Sequence, residues 1–298
     1  MVYEYALDPA LLDNWKDFRF FQQSFGPAKG RLIADFPRKW KRAVLEAIRV
    51  SSCGDVEKKR IKEALKYLAA PTIYSRTVHC WNNSLSWLEN AVQEDAQRAF
   101  HAIVYRDNND GVAIPDDHFV QEEELFDSAQ YWESENTVIV ERKAIQMAAP
   151  AAPLLSLAQH IIFVDPYFDP CKKRFRDPLL ALLDYISNRP ADITVQKLEY
   201  HVSDRIDAAH FQHLSDTHLK KRLSHGLTLS FVQWAEADMH DRHIVTNIGA
   251  LTYGQGLDEW DGGASPKEVR IQREGNDGWK QLWDRYSSGT PFHSLSGP

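Results

Sequence analysis

The sequence predicts a layered α/β protein, in which a C-terminal half of β-α-β-α-β order with a mixed, largely parallel sheet follows an N-terminal mixed α/β region. Three observations lead to this prediction. The 298 residues suffice for one large domain or two ordinary ones, and 43% hydrophobic and 26% charged residues are typical of a globular protein. Strand and helix patterns alternate along the second half. The Pro/Ala-rich stretch Ala148–Pro153 marks the expected boundary, which gives domains over residues 1–150, of unknown role, and 151–298.

The first half contains three predicted helices followed by two predicted strands. The helices are indicated by proline or acidic starts, by apolar stripes at helical spacing and by a capping box. They begin at Pro37, at Asp55 and at the capping box Ser86–Glu89. The strands are Phe100–Tyr105 and Thr137–Glu141, and the polar, acidic segment between them is typical of a surface loop.

The second half has a more regular alternation of strands and helices. His160–Val164 is a short continuous apolar run, as expected of a strand buried on both faces. Asp177–Pro178 indicates a helix start, and Asn188 ends that helix. The remaining predicted elements are a strand over Ile193–Tyr200, a helix over Ala208–Ser224, strands over Leu227–Trp234, His240–Asn247 and Leu251–Gly254, and a final helix carrying Trp279, Leu282, Trp283 and Tyr286.

The net charge of −7 argues against a uniformly basic nucleic-acid binder and leaves room only for a local basic surface. Basic residues nevertheless cluster at Arg38–Arg42, Lys58–Lys62, Lys172–Arg176 and Lys220–Arg222. The third cluster, Lys172–Arg176, follows the end of the His160–Val164 strand closely. We therefore expect it to give the rim of any site at that strand end a positive charge.

The cysteine content favours an intracellular, cytoplasmic protein. Cys53, Cys80 and Cys171 form no Cys-x-x-Cys pair, and the first fifteen residues lack the pattern of a signal peptide. The 21 residues Ala144–Val164 carry no charge, which is long enough to test for a membrane span. Pro150 and Pro153 near their middle instead favour a loop or short helix that leads into a buried strand, so no membrane insertion is expected.

Functional side chains collect at two predicted strand ends, where open α/β sheets bind ligands. One strand ends at Asp165, with Tyr167 and Asp169 close behind, although these aspartates are equally suited to capping the following loop and helix. The other strand contains His240 and Arg242, which would share one strand face. An imidazole can attack phosphorus while a cation holds the non-bridging oxygens, so this pair suits a phosphodiester.

These residues resemble the phospholipase D superfamily and its motif H-x-K-x4-D-x6-G-S. In motif order, the corresponding residues here are His240, Arg242, Asn247, Gly254 and Gln255. Arginine thus replaces lysine, asparagine replaces aspartate and glutamine replaces serine. The resemblance covers roughly Leu155–Tyr286 and includes the Ile161–Phe168 strand, so residues 151–298 are expected to form a phospholipase-D-like domain.

The resemblance implies a metal-independent phosphodiesterase that needs no cofactor. His240 would form a phosphohistidine, with Arg242 and Asn247 as the other catalytic residues. The substrate-binding candidates are Asp165, Tyr167, Gly254, Gln255, Lys172 and Lys173. Family members use two facing motifs, and only one is visible in this sequence, so a homodimer is expected to complete the site. Nucleic acid is the expected substrate, because no amphipathic basic helix points to lipid.

Two other interpretations of the same residues remain open. The first is a catalytically degenerate binding or assembly module that holds nucleic acid or a partner protein, as in bacterial anti-phage defence systems. The second is a zinc site, because seven of the twelve histidines lie between His201 and His243. His240 and His243, with Asp165 or Asp258, could supply ligands. Residues three apart on a strand point to opposite faces, however, so no metal site is expected.

Overall fold

The computed structural model describes residues 1–68, 71–127 and 129–297 and divides into two compact units. The N-terminal unit is Val2–Ser134, and the C-terminal unit is Glu135–Pro298 together with Met1. The Pro/Ala-rich stretch Ala148–Pro153 lies inside the C-terminal unit, because the strand ahead of it, Thr137–Glu141, pairs with a later strand of the same unit.

The N-terminal unit is built on a five-stranded sheet in which all strand pairs are parallel. Its strands are β1 (Tyr3–Leu7), β2 (Arg31–Ala34), β3 (Ile73–Tyr74), β4 (Ala102–Tyr105) and β5 (Phe119–Gln121). Their spatial order is β3–β2–β1–β4–β5, as in the first five strands of a doubly wound sheet. Successive residues of β1 join different apolar clusters, Tyr5 and Leu7 one and Ala6 the other, so both faces of this sheet are covered.

Helices on either side of this sheet supply the two clusters. They are α1 (Trp15–Ser24), α2 (Trp40–Val50), α3 (Asp55–Tyr67), α4 (Trp87–Gln97) and α5 (Ala129–Trp132). The predicted stripe on α2 is confirmed, since Trp40, Val44 and Ile48 are all buried. The predicted capping box is confirmed too: Ser86 and Glu89 exchange both of its hydrogen bonds at the start of α4.

The C-terminal unit contains an eight-stranded mixed sheet, which confirms the predicted α/β class. Its strands are β6 (Thr137–Glu141), β7 (His160–Val164), β8 (Lys197–Ser203), β9 (Thr228–Trp234), β10 (His243–Thr246), β11 (Gly249–Tyr253), β12 (Glu268–Arg273) and β13 (His293–Ser296). Parallel pairing is limited to β7–β8 and β8–β9, and the other five strand pairs are antiparallel. The sheet is therefore less parallel than the sequence pattern predicted. A short turn joins β10 to β11, so these two strands are antiparallel, and β10 also runs antiparallel to β7.

The helices of this unit are α6 (Ala144–Ala148), α7 (Ala152–Leu157), α8 (Lys173–Ser187), α9 (Ala208–His218) and α10 (Asn276–Tyr286). The uncharged stretch Ala144–Val164 thus forms two short helices that lead into the buried strand β7, as predicted. Across the described ranges, none of the helices combines the length and the apolar character that a bilayer crossing requires.

Several predicted boundaries are wrong for physical reasons. β8 begins at Lys197 rather than Ile193, because its pairing with β7 starts only where Lys197 lies beside His160. β10 covers only His243–Thr246, and β11 covers Gly249–Tyr253. α9 ends at His218, and the last residues predicted for it include a separate 3-10 turn over Lys220–Arg222.

Helix α8 begins at Lys173, four residues before the predicted start at Asp177, and therefore contains Pro178. Proline has no N–H to donate to the carbonyl four residues earlier, which here belongs to Arg174. The N–H of Glu259 donates to that carbonyl at 2.9 Å instead. Pro178 thus leaves the Arg174 carbonyl available to the Glu259 N–H, and this hydrogen bond attaches the loop after β11 to the first turn of α8.

Candidate functional site

A cavity of about 750 Å³ lies in the C-terminal unit, beside the carboxyl ends of β7 and β8 and the segment that precedes β10. This is the edge of the sheet at which open α/β proteins bind ligands. The cationic side chains on its wall are Arg142, Lys172, Arg174, Arg205 and Arg242. Three of them, Arg142, Lys172 and Arg174, pair with lining carboxylates, whereas Arg205 and Arg242 do not.

Arg242 and Arg205 both lie against Tyr167, the residue two positions beyond Asp165. Their guanidinium carbons are 4.7 Å and 4.9 Å from the centroid of the Tyr167 ring. The ring is 43% exposed, so it presents both cations at the cavity wall by cation–π contact. Arg205 also faces the exposed Glu236, at 3.4 Å from Nε to Oε1.

Arg242 has unused hydrogen-bonding capacity. Within the described residues it forms no ion pair, and its buried Nε atom has no hydrogen-bond acceptor. Within the described residues its side chain donates one long hydrogen bond, 3.5 Å from Nη1 to the carbonyl oxygen of His240. A buried guanidinium N–H without an acceptor is unfavourable, so this side chain is prepared to receive an anion.

Asp165 lies behind Arg242 and is 1% exposed. Its carboxylate accepts hydrogen bonds from the backbone N–H of Tyr167 at 2.9 Å and of Leu257 at 3.4 Å. Burial raises the pKa of Asp165 to about 6, and the charge of Asp258 adds to that rise, while the Tyr167 amide and Arg242 oppose it. The residue therefore fixes the loop after β7 and sets the local charge without facing the cavity directly.

Arg142 and Asp258 form a buried ion pair that supports the cavity wall. Arg142 Nη2 donates to Asp258 Oδ1 at 2.7 Å, and its Nε donates to the Asp258 carbonyl at 3.1 Å. It also donates to Ser265 Oγ at 3.1 Å. Arg174 approaches the other carboxylate oxygen of Asp258 at 3.6 Å and pairs with Asp261. These contacts attach the loop over residues 258–265 to α8 and to the end of β6.

Gly256 is required for this arrangement. Its φ of +117° is a conformation that residues with a side chain rarely adopt. A Cβ atom there would lie 2.6 Å from Asp258 Oδ1 and 3.8 Å from Arg242 Nε. The glycine thus lets the backbone approach the ion pair and the free arginine at once.

His240 is exposed and is not among the residues that line the cavity. The expectation that His240 and Arg242 share a strand face is wrong, because both precede β10, which begins at His243 opposite Val164. In the single chain, therefore, the cation of the motif reaches the cavity and the proposed nucleophile does not.

Asn247 lies at the opposite end of β10 from Arg242. Its Oδ1 atom accepts hydrogen bonds from the backbone N–H groups of Gln159 and His160, each at 3.1 Å. Because β10 is antiparallel to β7, Asn247 caps the amino end of β7, whereas Asp165 follows its carboxyl end. This geometry gives Asn247 a structural role and removes it from the site.

The other predicted residues are divided between the cavity and its surroundings. Gln255 and Lys172 line the cavity, the latter paired with Asp169 at 3.1 Å. The Lys173 side chain is 79% exposed and faces Asp177 instead. Gly254 continues the antiparallel ladder, donating its N–H to the Arg270 carbonyl at 3.0 Å.

The sequence interpretation missed Arg142 and Arg205 and considered Asp258 only as a zinc ligand. A basic residue close behind each of two strands was the available signal: Arg142 directly follows β6, and Arg205 is the second residue after β8. His243 is buried and bonds Thr252 Oγ1 through Nδ1 at 2.9 Å. In the described part of the chain, no three His, Cys, Asp or Glu side chains are grouped so as to hold a metal ion.

Comparisons with known proteins add only distant similarity. No protein-family profile and no curated protein matches the chain. The crystal structure of Nuc, a phospholipase D family member from Salmonella typhimurium, has 11% identity and a TM-score of 0.33, over 53% of this chain and 97% of that chain. The structure of TrmBL2, an archaeal chromatin protein, has 12% identity and a TM-score of 0.27, over 57% of this chain and 60% of that chain. These values assign neither family nor activity, so the function has to be inferred from the cavity itself.

Proposed function

We propose that the C-terminal unit binds a phosphodiester group of a nucleic acid in this cavity and acts as a binding module. The observation that carries the proposal is Arg242: a guanidinium on the cavity wall with no carboxylate partner among the described residues and with an N–H that lacks an acceptor. A guanidinium donates two parallel hydrogen bonds to phosphate oxygens, which makes arginine the preferred side chain for this ligand.

The neighbouring side chains suit a polyanion rather than an isolated small anion. Arg205 adds a second cation beside the same Tyr167 ring, and the lining as a whole carries five cationic side chains against three carboxylates. The chain as a whole carries a net charge of −7, so attraction of a polyanion requires such a local concentration of cations. Contacts of this kind position a nucleic-acid backbone without reading its sequence.

Hydrolysis through a phosphohistidine is the alternative that the motif implies. It requires an imidazole nitrogen within reach of the bound phosphorus and a second histidine to protonate the leaving group. His240 lies only two residues before Arg242, so this alternative can be tested. The His240 side chain is exposed, however, and is not part of the cavity lining. A partner copy would have to supply the second histidine.

The His240→Ala variant separates binding from hydrolysis. We expect it to bind a fluorescently labelled oligonucleotide within about twofold of the wild-type affinity, because His240 is exposed and is not among the cavity-lining residues. We also expect neither protein to cleave the oligonucleotide, with or without a chelator. Chelator-resistant cleavage by the wild type that disappears in His240→Ala would instead establish the hydrolase.

Oligonucleotide affinity is expected to rise as the pH falls through about 6, the pKa of Asp165. Protonation of Asp165 removes a negative charge behind Arg242, so the field at a bound phosphodiester becomes more positive. The expected gain is roughly threefold between pH 7 and pH 5, since the two charges interact through a partly screened medium.

Anisotropy titrations of the wild type and of Asp165→Asn at both pH values measure this effect. The phosphodiester does not titrate in this range, and surface histidines are common to both proteins, so the difference between them reports Asp165. An equal pH dependence in the two proteins would contradict the assignment.

A further inference from the structure

A second cavity, of about 500 Å³, lies in the N-terminal unit at the carboxyl ends of β2 and β3. Asp35 directly follows β2 and Ser75 directly follows β3, and both line it. Ligand sites in doubly wound sheets lie at this edge, and the volume falls within the usual range for small-molecule sites. The cavity also contains part of the basic cluster Arg38–Arg42, which the function proposed above leaves unused.

The lining of this cavity combines cationic and apolar side chains. Lys39, Lys41 and Arg42 supply the positive charge, and none of them forms an ion pair within the residues that the structure describes. The apolar lining residues are Leu45, Leu68 and Ile73. A ligand that fills the cavity therefore needs an anionic group attached to a largely apolar body.

Two residues with hydrogen-bonding side chains, Asp35 and Ser75, also line the cavity. Asp35 Oδ1 accepts the backbone N–H of Trp40 at 2.7 Å, and its other carboxylate oxygen has no donor among the described residues. The Ser75 side chain is exposed beside it. A free carboxylate oxygen next to a hydroxyl is suited to sugar hydroxyls, which a fatty acid or a simple lipid phosphate does not offer.

The backbone at Lys39 is also unusual. Its φ of +68° makes it the one non-glycine residue with a positive φ in the described ranges. Such a conformation is disfavoured for a residue with a side chain, and strain of this kind concentrates at ligand-binding sites. It presents the lysine at the start of α2, beside Lys41 and Arg42.

We propose that this cavity binds a nucleoside monophosphate, with its phosphate at Lys39, Lys41 and Arg42, its sugar at Asp35 and its base against the apolar lining residues. A dinucleotide is not expected. The turn after β1, Asp8–Leu12, contains no glycine, so the backbone cannot approach a pyrophosphate there as it does in dinucleotide sites. The cationic lining residues Lys39, Lys41 and Arg42 therefore have a single phosphate group to neutralise.

Calorimetric titration of the full chain with AMP, adenosine and inorganic phosphate tests this inference. We expect AMP to bind more tightly than either of its parts. The double variant Lys41→Ala/Arg42→Ala should weaken AMP binding at least about tenfold, because charge-assisted hydrogen bonds to the phosphate are lost. Lys59→Ala/Lys62→Ala removes the same charge from exposed positions on α3 outside this cavity and should change the affinity less than about twofold.

Three results would overturn the inference: no AMP binding at millimolar concentration, equal affinities for AMP and phosphate, or equal losses in the two double variants. The Arg242→Ala variant distinguishes the two cavities. AMP binding that depends on Arg242 and not on Lys41 and Arg42 would place the nucleotide in the C-terminal cavity, contradicting this inference while leaving the proposed function intact. Retained AMP binding by Arg242→Ala supports it.

Discussion

Replacing Arg242 with alanine should weaken oligonucleotide binding by roughly 10- to 100-fold, which is about 1.5–3 kcal/mol of lost hydrogen bonding to a charged group. The free energy is large because Arg242 forms no ion pair within the described residues and its Nε has no hydrogen-bond acceptor there. Arg242→Lys should recover part of it, since lysine keeps the charge but loses the two-pronged geometry.

Fluorescence anisotropy at about 50 and about 200 mM salt measures the effect and its origin, because each lost phosphate contact lowers the slope of log affinity against log salt by about one. Arg270→Ala is the matched control: it removes the same charge from an exposed position of β12 outside the cavity lining. Equal losses in Arg242→Ala and Arg270→Ala would mean that only net charge matters and that the cavity is not the binding site.

The parts of the site that the sequence could predict are those close together in the chain. Asp165 and Tyr167 follow a buried apolar strand, and a strand end in an open α/β sheet is a general location for ligands. Arg242 was found from its spacing to His240. Arg142 and Arg205 were missed because their positions at the cavity depend on how β6 and β8 pair with other strands. The spacing of residues along the chain does not determine that pairing.

Asn247 shows why motif spacing alone can mislead. Its distance from Arg242 along the chain agrees with the motif, but a four-residue strand separates the two residues. A strand advances by roughly 3.3 Å per residue, so β10 carries Asn247 to the other edge of the sheet. The asparagine then caps β7 through the Gln159 and His160 amides.

Elements with a long sequence pattern could be predicted, whereas elements that depend on strand pairing were missed. Helix α2 could be predicted from its apolar stripe, and helix α4 from its capping box. The short parallel strands β1 and β2 carry no alternation that distinguishes them from loop segments. The alternation of apolar Val269 and Ile271 with polar neighbours in β12 was a usable signal, since both are buried, whereas the burial of Arg273 could not be read from its residue type.

Replacing Arg142 with alanine is expected to lower the free energy of unfolding of the C-terminal unit by about 3–5 kcal/mol. The substitution leaves the buried carboxylate of Asp258 with one ion-pair partner among the described residues, Arg174 at 3.6 Å. It also leaves the Asp258 and Pro266 carbonyls without the donors that Arg142 provides. Urea denaturation followed by tryptophan fluorescence measures the loss.

Lys143→Ala is the control for this substitution, because the neighbouring Lys143 side chain is 63% exposed and pairs with Glu141 at the surface. Such a pair contributes about 0–1 kcal/mol, so the two alanine variants should differ by at least about 2 kcal/mol. The double variant Arg142→Ala/Asp258→Asn removes both charges and leaves the same space empty as Arg142→Ala does. It should be more stable than Arg142→Ala, because the unpaired buried charge, rather than lost packing, is the main cost. A double variant no more stable than Arg142→Ala would show that Arg142 acts by filling space, and the ion pair would then not be what holds the loop over residues 258–265 against the cavity.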